Sequence, residues 1–158
     1  MATWYLSKIK FQREDEAGSL KSISEAYLVD AVSYTEAEAR MFQEIAANTP
    51  DFQITNLSRM KIAEVFDFED TETWYKVKVL FVSFDEKAQK EKKIPHIMLV
   101  NAETVRQAYD RVEERLGTID DYEITDVNVT PILEIFPYEN STMRNLIPLA
   151  AVTQIVEA

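Results

Sequence analysis

TWYLSKIKF at residues 3–11 returns as TWYKVKVLF at residues 73–81, with Thr-Trp-Tyr leading and a lysine in the sixth place both times. Tyr5, Ile9 and Phe11 alternate with Trp4, Lys8 and Lys10. Tyr75, Val77, Val79 and Phe81 alternate with Trp74, Lys76 and Lys78. A period of two predicts a half-buried strand whose Tyr-aliphatic-Phe side faces a core, with the Trp and Lys side chains on the other side.

The likeness extends outward from these strands. DFQITNLSRMKIAEVFDFE at residues 51–69 is matched 70 places later by DYEITDVNVTPILEIFPYE at residues 121–139, and YLVDA from Tyr27 is matched by MLVNA from Met98. TEAEARMFQEIAAN from Thr35 and TVRQAYDRVEERLG from Thr104 both open with the T-x-x-E/Q spacing of a capping box, which satisfies amide donors that a helix start leaves orphaned. Asn48 and Gly117, residue types that tolerate the left-handed conformation, stand at the expected helix ends. Val105, Ala108, Tyr109, Val112 and Leu116 form an apolar stripe on the second helix. Met41, Phe42 and Ile45 do so less cleanly on the first. Charged links around Gly18 and at residues 85–93 read as hairpin turns.

The predicted architecture is α+β: a tandem internal duplication of a β-β-α-β unit, with mainly antiparallel sheet, two helices and an extra C-terminal strand or arm. The expected organisation is a single domain over residues 1–158, made of repeats at 3–69 and 73–139 and an extension at 140–158. Strand order, and whether the repeats share one sheet, stay open.

Composition narrows the chemistry. Acidic residues number 28 against 17 basic, a formal net charge of −11, which disfavours direct nucleic-acid or anionic-lipid binding. No cysteine is present, so disulfides and thiolate chemistry are excluded. Two glycines cannot write a P-loop or a dinucleotide fingerprint. The single histidine, His96, reads as a strand residue rather than a base or metal ligand. No stretch reads as a membrane span or leader, and the expected location is cytoplasmic. No cofactor, metal or catalytic residue is expected.

The residues that recur in both halves are the best remaining clues. Trp4, Lys8, Trp74 and Lys78 share one face of their strands, and Glu64 and Glu134 recur in the predicted third strands as cross-strand partners for those lysines. One reading makes this face internal packing. The other makes Trp4, Lys8, Trp74 and Lys78 a protein-binding surface, since large rigid aromatics concentrate at interaction hot spots. A second copy of the chain is another way to cover such a face.

TWYLSKIKF, EAYLVDAVSYTEAEAR and TWYKVKVLF together resemble a family of uncharacterised proteins of about 150 residues from gut bacteria and their phages, described as a domain of unknown function. That resemblance implies no activity and no site residues, and its mobile-element context favours a small regulator or inhibitor. The expected function is a non-catalytic protein-interaction or regulatory module with an unidentified protein partner. An acidic inhibitor or nucleic-acid mimic acting on a DNA-handling protein, or a carboxylate-dependent enzyme, are the alternatives.

Overall fold

In the computed structural model, which describes residues 3–49, 51–118 and 121–137, both alternating stretches are strands that lead into long hairpins. β1 (Trp4–Glu14) turns back into β2 (Leu20–Asp30), and β5 (Trp74–Asp85) turns back into β6 (Lys90–Asn101). Each turn is organised by an aspartate. Asp15 accepts amide hydrogen bonds from Ala17 and Ser19, both at 2.9 Å, and Asp85 accepts from Lys87 at 3.0 Å and Ala88 at 3.3 Å. Gly18 takes the left-handed place at φ 84° in the first turn, whereas Gln89, at φ 54°, takes one in the second.

α1 (Tyr34–Ile45) and α2 (Val105–Leu116) each follow their second strand after a short link. Thr104 caps α2 as expected, accepting from Gln107 N at 3.0 Å while Gln107 accepts from Glu103 N. In α1 the cap is Ser33, not Thr35. Ser33 accepts from Glu36 N, and Glu36 accepts from Val32 N. S-x-x-E and T-x-x-E overlap here, and the earlier box adds helical hydrogen bonds to the same apolar face. Gly117 ends α2 at φ 69° and ψ −151°, a glycine conformation. Asn48 does not match it: the first helix ends through right-handed Ala46, and the left-handed residue is Asp51, at φ 60°.

The expected third strands are each broken in two. The first half yields β3 (Gln53–Met60) and β4 (Glu64–Phe66); the second yields β7 (Tyr122–Val129) and β8 (Ile132–Phe136). Pro131, lacking an N–H, stands at the second break. Among the described residues this makes eight strands and two helices, arranged as two four-stranded sheets of order β3-β1-β2-β8 and β4-β6-β5-β7. Each sheet therefore receives its last strand from the other half of the sequence. β4 lies parallel to β6, with Glu64 opposite Met98 and Phe66 opposite Val100, while β8 stands beside β2. Of the described residues, one compact unit holds those up to Met60 and again Glu134–Pro137, and the other holds those of Lys61–Leu133. The extension at 140–158 lies outside the described residues.

Each unit has its own core between helix and sheet. In the first, Tyr5, Ile9 and Phe11 meet Ala37, Met41 and Ile45; in the second, Val77 and Val79 meet Ala108 and Val112. β3 and β7 each carry a bulge, at Thr55 and Thr125, where the register with β1 and β5 shifts. The extra residue reverses the alternation, so that Ile54 and Leu57, and likewise Ile124 and Val127, reach the same core.

One recurring residue escaped the sequence reading. Arg40 and Arg111 lie at the same place in their helices, seven residues past the cap, and each donates to the backbone carbonyl that ends the second strand, Asp30 O and Asn101 O respectively. Arg40 also donates to Phe136 O at 3.4 Å and Pro137 O at 3.3 Å, tying down the end of β8. Arg111 instead reaches the segment after β4, bonding Asp70 and lying 4.4 Å from the centre of the Phe68 ring. The hydrogen bond from Arg111 holds the Asp70 carboxyl below its ordinary pKa. A lowered folded-state pKa favours folding above the unfolded carboxylate value, and the benefit is lost as pH falls through the folded one. Asp70→Asn should therefore lower stability at pH 7 and match the parent at pH 2. Urea titrations at the two pH values check this; an equal deficit at both would remove the ionic contribution.

Candidate functional site

α2 is amphipathic, and its apolar stripe is wider than the sheet beneath it covers. Ala108 and Val112 are fully buried, whereas Val105 is 53% exposed and Tyr109 37% exposed. Val105, Tyr109 and Glu113 follow at four-residue spacing and so form one row on the flank of the helix. Below that row runs β7, an edge strand, presenting Tyr122, Ile124 and Val127 toward the helix, with Val129, 63% exposed, at its end. Helix row and edge strand enclose two adjoining open hollows of about 490 Å³ and about 600 Å³ that share Tyr109 and Glu113.

The rim is acidic. Glu113, Asp110 and Asp121 line the hollows with Arg106, which pairs with Asp110 at 3.4 Å. Burial raises the pKa of the Tyr122 phenol, and the nearby Glu113 carboxylate raises it further. Its hydroxyl donates to Gly117 O at 3.2 Å and closes one end of the groove.

The first unit differs at the equivalent place. Phe42 stands nine residues past its helix cap, as Glu113 does in α2, and its ring packs on Phe52 of the segment entering β3, with centroids 4.9 Å apart. An aromatic pair occupies the place where the second unit has a carboxylate over Tyr122. The spacing of apolar residues marks the stripe on α2 but not how much of it the sheet covers. Setting Phe42 against Glu113 is the signal that could have exposed the groove.

Comparison with known families places the molecule. The family model for Domain of unknown function (DUF4494) matches residues 3–138. The chain belongs to this family. No curated protein and no solved structure matches it.

The residues singled out from this DUF4494 sequence separate by burial. Trp4 is 8% exposed and Trp74 is 5% exposed, while Lys8 and Lys78 are exposed on the same faces of β1 and β5. Each Trp–Lys pair is four residues apart on its strand, about 13 Å at strand rise. Trp4 lies opposite Asp30 and Met60, and Trp74 opposite Asn101. Leu28 and Leu99, also on the faces away from the helices, are fully buried, so these faces are covered at their tryptophan ends. Glu64 and Glu134 do not flank the lysine strands. The neighbours of β1 are β2 and β3, those of β5 are β6 and β7, and the glutamates lie on the exchanged strands β4 and β8.

His96 in β6 packs on Phe81 of β5, with ring centroids 5.0 Å apart. Among the described residues, no group of three His, Asp or Glu side chains is placed to hold a metal ion, and no helix is long and apolar enough to cross a membrane.

Proposed function

We propose that this protein is a non-catalytic interaction module, built from two copies of one β-β-α-β-β unit that exchange their last strands, and that it acts through protein contacts. The observation that carries this reading is the open, apolar-floored groove between α2 and β7, where exposed Val105 and Tyr109 stand over a strand edge that no other strand of the described residues pairs. Burial of Trp4 and Trp74 favours a packing role for these rings, leaving Lys8 and Lys78 as the accessible part of that other face. The formal charge of −11 favours a second reading, an acidic inhibitor of a DNA-handling protein.

Comparing the proteins captured by the full chain with those captured by a Val105→Asp/Tyr109→Asp variant tests the proposal. Both positions are exposed, so the variant should fold. Partners held by the parent and lost by the variant are expected, and identical sets overturn the reading. Partners that are all DNA-handling proteins, and released by moderate salt, would transfer support to the inhibitor.

A further inference from the structure

We infer that the α2–β7 groove binds an extended peptide in which basic and apolar residues alternate, added as a further strand on β7. The inference rests on the interaction-module reading and specifies the chemistry of its occupant.

β7 is the last strand of its sheet, paired with β5 on one side, and among the described residues no strand lies on its other side. An edge of eight residues offers unpaired backbone donors and acceptors, and adding a strand there satisfies both chains. Natural edges are commonly blocked by a lysine or a proline, yet Tyr122–Val129 contains neither. Its bulge at Thr125 interrupts the register once, leaving short runs on each side.

A strand added at this edge would put alternate side chains beneath the overhanging flank of α2. Apolar side chains there would contact Tyr109, Val105 and Val127, whose exposed surface is the groove floor. Arg106 offsets Asp110, but Glu113 lies at the junction of the two hollows and Asp121 at one end, so the balance along the rim is negative. Basic side chains on the peptide would complement both, whereas acidic ones would be repelled by them and by the net charge of the chain. In the first unit the Phe42 ring, packed on Phe52, stands at the position Glu113 holds here, so the carboxylate contact for a basic side chain belongs to the second unit.

The test uses the full chain and three labelled ten-residue probes: a Val/Lys alternating peptide, its Val/Glu counterpart, and a block-ordered peptide of the same Val and Lys content. Fluorescence anisotropy should show the alternating Lys peptide binding at least about tenfold more tightly than either other probe. Glu113→Lys should weaken it about tenfold, Tyr109→Ala should weaken it too, and bound peptide should slow amide exchange across residues 122–129. Equal binding of the block-ordered peptide would mean unspecific attraction to an acidic protein, and overturns the inference. Equal binding of the Glu peptide overturns the basic preference, and no binding by any probe overturns the inference entirely. Protection of residues 122–129 by raised protein concentration alone would make a second copy the occupant and also overturn it. In each of these cases the capture experiment with Val105→Asp/Tyr109→Asp still judges the interaction-module reading separately.

Discussion

Trp74→Ala should destabilise the protein by about 3–5 kcal/mol, the usual cost of deleting a buried indole and leaving a cavity. Trp74 is 5% exposed and lies opposite buried Asn101, whose side chain donates to Asp67 at 2.9 Å and to Thr71 O at 3.1 Å and accepts from Phe68 N at 2.8 Å. The Trp74 carbonyl accepts from both the amide and the hydroxyl of Thr130, at 2.9 and 2.8 Å, at the end of β7. Trp74 thus stands, with its side chain buried, where the start of β5, the end of β6 and the link after β4 converge. Those backbone bonds do not depend on the indole, so the loss should register as lost packing, and Trp4→Ala should behave alike. Urea unfolding followed by circular dichroism, together with molar mass in solution, separates the two roles of these rings. A loss under about 1 kcal/mol, accompanied by a change in self-association, would make the tryptophans interface residues and would defeat the packing account.

Arg40→Ala should cost on the order of 3 kcal/mol, and Arg111→Ala only about half as much. The difference follows from what each guanidinium reaches. Arg40 is 4% exposed and bonds the carbonyls of Asp30, Phe136 and Pro137; without it the buried contact to Phe136 and the part-buried ones to Asp30 and Pro137 all lose this donor. Arg111 bonds one carbonyl, Asn101 O at 2.7 Å, and otherwise engages the face of Phe68 and Asp70, whose side chain is 54% exposed and can be rehydrated. Arg40→Lys should recover little, because a single ammonium cannot present the planar fork that meets several carbonyls. Amide exchange should show residues 132–136 losing protection before the rest of the sheet. If both alanine variants cost the same, Arg40 does not pin the exchanged strand.

How far the sequence could be read depends on the range of the interaction concerned. The strands at residues 3–11 and 73–81, both hairpins, and the start and stop of α2 were legible, because alternation, Asx turns, capping boxes and a left-handed glycine act over a few residues. The cap of α1 was misplaced because Ser33 and Thr35 offer overlapping boxes that differ only in how much helix follows. A single third strand containing Glu64 was expected after α1, whereas two strands form there, for a deeper reason. Glu64–Phe66 continues the apolar alternation of its neighbours, and alternation states which side chains share a face without stating which strand lies alongside. The groove was half legible: its stripe on α2 was seen, but not that Tyr109 and Val105 overhang the sheet.

From residues alone followed the local elements, their order, the acidic character, and the absence of the glycine and cysteine patterns that several chemistries require. Folding in three dimensions settled the exchange of β4 and β8, the burial of Trp4 and Trp74 beside exposed Lys8 and Lys78, and the open flank of α2 over β7. Backbone propensity and capping are written within a turn or two of the chain. Strand partners are chosen among distant segments, such as Phe66 with Val100, by which pairing satisfies the most backbone groups and buries the most apolar surface, a comparison that exists only once the whole chain has collapsed.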